Sequence, residues 1–398
     1  MKMAIAWGTE NNLDDTLFYN RKEDLEFLTN ILDSSQYGST PTILLTGIRG
    51  VGKTALMNKL KNDFKEEYLV IYMDLSLSDK YQKGEFTREA FMELLYKELI
   101  NACNEFGLKT IDKKIEKYVK THDIKLIKEI ISYENMPVPI PGLKDNYSKL
   151  ASFVMDLPQK IYEEYEDKLK GVFIFIDEFQ IIKDLNEYNN FLWFLRSIVQ
   201  SQKNVAYMFT GSMSIKDSLI EDIAGKNGAF GGRMLSVDIS PFSYETTKNY
   251  LKERADFLEF SEDGYDRFYK CTKGVPFYIN TFARLMSSDK LLTEEVVKKE
   301  FYKALPYLAI HLKSMWDKLN FPEQKIIVQL LDNPLRRVEI ANNLNITSGT
   351  LSKPLVKLQD IGLIEINDER KYQIVDSILR LWLKNEYDTK GVYPYRVS

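Results

Sequence analysis

The stretch TILLTGIRGVGKT, residues 42–54, decides the fold of this chain. Residues 42–46 form a short apolar and β-branched run, and a helical stretch, residues 53–65, follows the glycines. Between them, residues 47–54 match the pattern G-x-x-x-x-G-K-S/T. A strand, a glycine-rich turn and a helix in this order predict a phosphate-binding loop, because backbone amides and the helix N-terminus point towards an anion.

The residue types of this loop have separate roles in binding a nucleotide. Its glycines let the backbone wrap around phosphate oxygens, Lys53 is expected to contact the β- and γ-phosphates, and the Thr54 hydroxyl is expected to ligate Mg²⁺. A glycine-rich turn without a ligand is the alternative, and the flanking strand and helix argue against it. The residues of this segment predicted to contact ATP or ADP are Gly47, Ile48, Arg49, Gly50, Val51, Gly52, Lys53, Thr54 and Ala55.

A second motif, VFIFIDE at residues 172–178, is an apolar strand that ends in two adjacent acids. Ligands of open α/β sheets bind at the carboxyl ends of the strands. We therefore expect Asp177 to hold Mg²⁺ through its hydration shell, and Glu178 to orient and deprotonate the attacking water. In isolation, the same residues would also fit a strand that ends in a solvated acidic turn.

Two weaker features come later in the chain. The apolar run 205–210 ends in Thr210-Gly211-Ser212, and either hydroxyl is a candidate for sensing the γ-phosphate. A turn that uses glycine and serine for their backbone conformations explains these residues equally well. Arg233 is a candidate arginine finger for a neighbouring subunit's γ-phosphate, and a salt bridge is an equal alternative.

Five apolar segments alternate with helical stretches, which predicts an α/β fold of the P-loop NTPase type, a parallel sheet sandwiched by helices. The connection across residues 77–170 is too long for a loop, so we expect a helical insertion there. Within it we expect helices at 88–106 and 149–169, a turn-rich piece at 136–142 and a solvated helical face at 109–128. The predicted strands are residues 42–46, 68–74, 172–176, 205–210 and 234–239.

The strand pattern ends at residue 241, and residues 243–303 predict several helices with a loop at 273–276, which we interpret as an all-α lid. The C-terminal pattern predicts a winged helix-turn-helix. Its expected helices are 323–331, 337–344 and 348–360, and its expected strands are 363–366 and 372–375. The predicted domains are therefore residues 1–241, 242–315 and 316–398.

Several short motifs follow one another in a recognisable order. They are Phe18-Tyr19-Asn20-Arg21 with Leu25 and Leu28, the loop at 47–54, Asp177-Glu178, Thr210-Gly211-Ser212, Gly232-Arg233, Pro241-Phe242 and Gly274-Val275-Pro276-Phe277-Tyr278. With its lid and winged helix, the chain resembles the AAA+ and STAND ATPases, and more closely the predominantly archaeal ATPase family of STAND-like proteins.

This resemblance implies that Asn20 and Arg21 line the base and ribose of the nucleotide and that Pro276 packs against adenine. On the residues alone, Asn20 and Arg21 fit a helix N-cap and a surface charge equally well, and Pro276 fits a bare loop. No sensor arginine is evident in the lid, and we expect hydrolysis of ATP to ADP and phosphate to be slow.

Composition limits the remaining possibilities. The 398 residues are 44% hydrophobic and 28% charged with a net charge of −4, which gives no global electrostatic reason to seek nucleic acid or an anionic membrane. Two cysteines and two histidines make neither a disulfide framework nor a zinc pattern. The N-terminal residues 1–12 do not form a signal-peptide core, and we expect a cytoplasmic protein without a membrane partner.

Three functions remain open at this stage. In the first, the protein is a STAND-like switch in which ADP holds the lid and winged helix against the sheet, and ATP releases them to self-associate or engage a protein partner. In the second, it is an AAA+ ATPase that places residues 348–360 in duplex DNA. That segment carries Lys353 and Lys357 against Asp360, and the wing carries two cations, Arg370 and Lys371, against two acids, Asp368 and Glu369. This near balance of charge favours the winged helix as a protein-packing module. In the third, it is a nucleotide-binding scaffold with negligible turnover.

Overall fold

The computed structural model describes residues 17–108, 126–133, 136–141, 147–211, 218–226, 228–287 and 289–395. Three of the expectations above lie outside these residues. They are the N-terminal stretch 1–12, the helical face at 109–128 except for its last three residues, and Ser212.

A five-stranded parallel sheet forms the centre of the fold, in the order β2-β5-β6-β1-β7. All five predicted strands are confirmed within one or two residues at each end. Because every strand runs in the same direction, their carboxyl ends form one edge. The strands in the described residues are β1 (Thr42–Thr46), β2 (Leu69–Asp74), β3 (Leu126–Tyr133), β4 (Met136–Pro141), β5 (Val172–Asp177), β6 (Val205–Thr210), β7 (Leu235–Asp238), β8 (Ile364–Ile366) and β9 (Tyr372–Ile374).

Helices flank the sheet and make up most of the rest of the described chain. None of them combines the length and the apolar character that crossing a membrane requires, within the residues described above. They are α1 (Lys22–Asp33), α2 (Lys53–Phe64), α3 (Asp79–Gln82), α4 (Arg88–Phe106), α5 (Tyr147–Glu164), α6 (Tyr188–Val199), α7 (Ser218–Ala224), α8 (Tyr244–Arg254), α9 (Glu262–Thr272), α10 (Pro276–Leu285), α11 (Glu294–Leu308), α12 (Ile310–Asp317), α13 (Phe321–Gln329), α14 (Arg337–Leu344), α15 (Ser352–Asp360) and α16 (Ser377–Lys390).

The sheet is covered on both faces, as the absence of alternation in its strands predicts. The strands β5 and β6 are buried along their whole length. Helices α1 and α2 cover one face and pack around side chains such as Leu28, Leu56 and Phe173. Helices α4, α5 and α6 cover the other face, where Ile174 and Phe191 are buried. Two separate cores therefore hold the sheet from opposite sides.

The insertion departs from the helical prediction in its middle. Its flanking helices α4 and α5 are found, but β3 and β4 pair as an antiparallel ribbon. Residues 136–141, predicted to be turn-rich, form β4 instead, and their alternate prolines at 137, 139 and 141 fit this strand because proline is tolerated at the edge of a sheet. The last three residues of the expected helical face, 126–128, belong to β3, which pairs with β4.

The C-terminal region has the expected order of elements: α13, α14, α15, then the antiparallel pair β8 and β9. Pro322 lies in the first turn of α13, as predicted, and Asn320 and Glu323 close its capping box. Helix α15 begins at Ser352 rather than at residue 348. A separate turn precedes it, in which the hydroxyls of Thr347 and Thr350 are 2.9 Å apart.

One hydrophobic core runs from the lid into this C-terminal region, from Phe242 to Leu383. Trp316 is fully buried in it, and its indole N–H donates to the carbonyl of Pro394 at 2.6 Å. The two regions pack as neighbours, and the boundary at residues 315 and 316 stays a prediction.

Phe173 offers a test of the sheet's core. Its ring stacks on Tyr68 at 4.3 Å and meets the edge of Phe64 at 4.9 Å. We expect Phe173→Ala to lower the free energy of unfolding, measured by chemical denaturation, by about 3–5 kcal/mol, because it removes buried ring contacts and leaves a cavity. Phe27→Ala, at a ring 48% exposed on α1, is the control. Equal losses for the two variants would contradict this assignment of the core.

Candidate functional site

The phosphate loop follows β1 at the carboxyl edge of the sheet and leads into α2. Gly47, Gly50 and Gly52 all have positive φ, at 134°, 78° and 102°. A Cβ on Gly47 would lie 2.6 Å from the carbonyl oxygen of Ile239, so this position requires glycine for space as well as for conformation. Gly52 is the N-cap of α2, and around its Cβ position the described residues leave open space. The loop therefore has the cradle shape that phosphate binding requires.

Lys53 lies inside this loop. Its side chain is buried, and its ammonium donates to the carbonyls of Gly47 at 2.7 Å and Ile48 at 3.1 Å. Burial lowers the pKa of Lys53 to about 8, against the raising influence of the Glu178 and Asp177 carboxylates. An ammonium has three donors, so one remains for a phosphate oxygen.

The two predicted magnesium residues are in contact. The Thr54 hydroxyl donates to Oδ2 of Asp177 at 2.6 Å, and the Tyr72 hydroxyl donates to the same oxygen at 3.2 Å. Burial raises the pKa of Asp177 above its usual value, and the hydrogen bond from Thr54 opposes that shift. Burial and the nearby Asp177 carboxylate likewise raise the pKa of Tyr72. The hydroxyl stays protonated and remains a donor.

Glu178 follows Asp177 in a left-handed backbone conformation, with φ of 55°. Its N–H donates to Oδ1 of Asp177 at 2.8 Å, so the two acids turn in different directions. The side-chain amide of Gln180 donates to the Glu178 carboxylate. A positive φ in a non-glycine residue is uncommon and clusters at functional sites. The turn separates a buried carboxylate from one that is partly exposed.

Thr210 lies between the two motifs, because β6 lies between β1 and β5. In the sheet register it is opposite Leu45, the residue before the last of β1. Its hydroxyl is buried, and within the described chain no hydrogen-bond partner is found for it. A buried hydroxyl without a partner is costly, and a phosphate or water oxygen at this edge would satisfy it. Its alternative, Ser212, is outside the described residues.

Arg233 is not part of the same site. Strand β7 runs parallel to β1, with Leu235 opposite Ile43 and Asp238 opposite Thr46. Arg233 precedes β7 and therefore lies at the amino edge, away from the phosphate loop. Its guanidinium is 3.4 Å from the Gln200 side chain. A finger acting on a neighbouring subunit stays a prediction.

The two residues of the N-terminal pair, Asn20 and Arg21, have different surroundings. Arg21 donates to the loop carbonyl of Val51 at 3.0 Å, and its guanidinium lies 5.0 Å from the centre of the Phe242 ring. Burial lowers the pKa of Arg21, and Asp24 opposes this shift. Arg21 thus joins the phosphate loop to the first residues after the sheet. Asn20 is exposed beside it with φ of 62°.

Pro276 is the first residue of α10, which begins against the phosphate loop. The next residue, Phe277, donates its main-chain N–H to the carbonyl of Gly50 at 3.1 Å. A Cβ on Gly50 would lie 2.7 Å from the Cβ of Phe277. The lid loop predicted from the sequence is therefore in direct contact with the phosphate loop.

Three residues of this site were given no role from the sequence: Tyr72, Gln180 and Phe277, of which only Phe277 was part of a quoted motif. Gln180 is two positions from Glu178, and Phe277 follows Pro276, so proximity in sequence was an available signal for both. Tyr72 is 105 residues from Asp177 and has no such signal. Its role depends on the pairing of β2 with β5, which places Asp74 opposite Asp177.

The residues present fit a magnesium nucleotide. Mg²⁺ prefers oxygen ligands and is usually bound through one or two protein oxygens together with phosphates and water. Thr54 and Asp177 provide such oxygens, the glycine cradle and Lys53 provide positive potential, and the Thr210 hydroxyl needs a partner.

Comparisons with known proteins agree with this geometry. A family described as "ATPase domain predominantly from Archaea" matches residues 18–282. No curated protein sequence matches the chain. Among solved structures, the Walker-type ATPase PABY2304 of Pyrococcus abyssi is similar over 94% of this chain and 99% of its own, with a TM-score of 0.63 and 19% identity. That likeness shows a shared fold.

Two other structures are more distant. The Aeropyrum pernix ORC1 protein in complex with DNA is similar over 95% of each chain, with a TM-score of 0.47 and 13% identity. A mutant of the Thermotoga maritima RuvB protein is similar over 98% of this chain and 99% of its own, with a TM-score of 0.44 and 13% identity. The family match covers well over half of the chain and includes the phosphate loop and the Asp177-Glu178 pair. This protein therefore belongs to the ATPase family found predominantly in Archaea, and it binds and hydrolyses ATP.

Proposed function

We propose that this protein is a Mg²⁺-dependent ATPase that works as a nucleotide-operated switch. The observation that carries the proposal is the contact between lid and phosphate loop, in which Phe277 N–H donates to the Gly50 carbonyl at 3.1 Å. A change in the loop on binding phosphate must either preserve this contact or move α10. This bond supports a coupling between nucleotide occupancy and the position of the lid.

The site residues divide the work of hydrolysis. Thr54 and Asp177 are the residues that would hold Mg²⁺, which would neutralise phosphate charge when bound. Lys53 binds phosphate oxygens from inside the loop. Glu178 orients the attacking water and accepts its proton, while Thr210 is placed to contact the γ-phosphate or that water. The bond from Gln180 sets the direction of the Glu178 carboxylate.

A second contact extends the coupling to the C-terminal region. Tyr278, also in the first turn of α10, donates its hydroxyl to the carboxylate of Asp376. Asp376 caps α16 by accepting from the N–H of Ile378 at 2.8 Å. The ring of His311 packs edge-on against Phe277 at 5.1 Å, and burial, with a smaller influence of Arg49, lowers the pKa of His311 to about 4. The His311 ring at this junction is therefore neutral at physiological pH.

Two nucleotides operate a switch only if they bind its two states with different affinity. ATP and ADP differ by the γ-phosphate, and Lys53, Glu178 and Thr210 are the residues proposed to contact it. We propose that ADP favours the packed arrangement described here and that ATP favours release of the lid and C-terminal region. The released surfaces would then engage a second copy or a protein partner.

Self-association would also give Arg233 a role. Arg233 is exposed at the amino edge of the sheet, which supports a contact with the site of a neighbouring subunit rather than with its own. We propose that it acts in trans, where its charge would stabilise the γ-phosphate during transfer.

Binding of duplex DNA by a winged helix at residues 321–390 is the alternative function. The contacts of α15 support a protein-packing role instead. Lys357 pairs with the buried Glu323 at 2.8 Å, and Arg337 donates to the Ser352 hydroxyl at 2.7 Å. DNA affinity depends on several Lys and Arg side chains that contact phosphates. Here Lys357 and Arg337 already bind groups of the same chain. Val356 is 54% exposed on the same helix, which suits a protein partner.

Glu178→Gln tests the catalytic assignment. We expect ATP turnover to fall by about 10²- to 10⁴-fold, because the amide cannot accept the proton of water, while nucleotide affinity stays within a few-fold of the wild type. Glu187→Gln is the matched control, at an exposed carboxylate that pairs with Arg88 outside the site. Retained turnover in Glu178→Gln would show that another residue is the base.

The lowered pKa of Lys53 predicts how nucleotide affinity depends on pH. A bound phosphate favours the lysine cation and raises its pKa again, so binding is full below pH 8 and weakens as pH rises through the free value of about 8. We expect the Kd for ATP to rise about tenfold between pH 7 and pH 9, measured by equilibrium titration. Lys53→Arg, whose side chain stays charged, should show a flatter profile. An unchanged slope in that variant would assign the titration to another group.

Tyr278→Phe tests the connection to the C-terminal region. We expect amide hydrogen exchange in residues 377–390 to become about tenfold faster, because removal of the hydroxyl leaves the buried Asp376 short of one donor. Tyr250→Phe, which loses a bond to Asn280 inside the lid, is the matched control and should leave this segment unchanged.

In the wild type, a non-hydrolysable ATP analogue should speed the same exchange relative to ADP. Equal exchange in both nucleotides would contradict the switch.

A further inference from the structure

Tyr72 lies on β2, the edge strand next to β5. Its Cα is paired with Phe175, and two residues further on, Asp74 is paired with Asp177. Because side chains alternate along a strand, Tyr72, Phe175 and Asp177 all face the side of the sheet that α2 covers. Thr54 is in the first turn of α2. The Tyr72 hydroxyl therefore reaches the end of β5 from β2, whereas the phosphate loop approaches it from the direction of β1.

The Asp177 carboxylate receives three donors in this arrangement. Oδ2 accepts from Thr54 at 2.6 Å and from Tyr72 at 3.2 Å, and Oδ1 accepts from the N–H of Glu178 at 2.8 Å. Each carboxylate oxygen has about two lone-pair directions, so Oδ2 is fully used and Oδ1 keeps one. Without Tyr72, only the Thr54 hydroxyl and the Glu178 N–H would oppose rotation of the carboxylate about its Cβ–Cγ bond, and Oδ2 would lose one of its two donors.

We propose that Tyr72 is a positioning residue for the magnesium carboxylate: its hydroxyl fixes the rotation of Asp177 and so the direction of the oxygen offered to the metal and its water. This inference rests on the proposed Mg²⁺ dependence of the site. Hydrogen-bond partners behind a metal-binding group orient it, and their loss commonly weakens metal affinity by about 10- to 100-fold. In this proposal Tyr72 acts through Asp177 and is a positioning residue, not a catalytic one.

The test measures how much Mg²⁺ tightens nucleotide binding, with no hydrolysis involved. The Kd of a non-hydrolysable ATP analogue is determined for the full chain in EDTA and in saturating Mg²⁺. For Tyr72→Phe we expect the Kd in EDTA to stay at the wild-type value, and the tightening by Mg²⁺ to be reduced about tenfold. Tyr72→Met, which also lacks the hydroxyl but packs differently, should give the same reduction.

Tyr68→Phe is the matched control, because it removes another tyrosine hydroxyl from an aspartate, Asp33, at 2.5 Å and outside the site. It should leave the tightening by Mg²⁺ unchanged. If the wild-type chain binds the ATP analogue with the same Kd in EDTA and in Mg²⁺, the proposed magnesium site itself is overturned. With a normal wild type, full tightening in both Tyr72 variants, or equal weakening in EDTA and Mg²⁺, would overturn the positioning role alone.

Discussion

A hydrogen bond of 2.6 Å from the Thr54 hydroxyl to Asp177 fixes the relation between the two halves of the site. The two residues are 123 positions apart, and β1 and β5 are not neighbours in the sheet, because β6 lies between them. The contact therefore forms over the end of β6. That strand ends at Thr210, and Gly211 follows it, so the residues between the loop and the acids are small. The parallel order of the strands, and not their sequence distance, creates the site.

Burial of opposite charges gives this site its chemical character. Lys53 and Asp177 are both removed from water. Burial lowers the pKa of Lys53 and raises the pKa of Asp177, which favours the neutral form of each. Each ion stabilises the other only in part, because the lysine is bonded to loop carbonyls rather than to the carboxylate. A bound triphosphate and a divalent cation would supply the charges that each side needs. The fold thus holds polar groups whose full stabilisation depends on the ligand, as is common at functional sites.

Most of this architecture could be predicted from the sequence, because it depends on local patterns. Apolar runs without alternation identified all five strands of the sheet, and the glycine spacing identified the loop. The ribbon of β3 and β4 was missed because its apolar pattern is weaker than the helical patterns on either side of it, and its prolines also fit a turn. Tyr72 could not be found, because a tyrosine in a buried strand looks like any core residue until the neighbouring strand is known. The edge to which Arg233 belongs was readable in principle, since it precedes a parallel strand.

Gly50 shows how the loop and the lid constrain each other. In the pattern G-x-x-x-x-G-K-S/T this position admits any residue, yet here it has φ of 78° and lies against Phe277. A side chain at this position would displace the first turn of α10 and lengthen the bond from Phe277 to the Gly50 carbonyl. The motif alone does not require glycine at that place in the loop; the positive φ of Gly50 and its close contact with the lid do. The residue thus connects a general phosphate-binding motif to a lid that is particular to this fold, and it couples the two by shape rather than by charge.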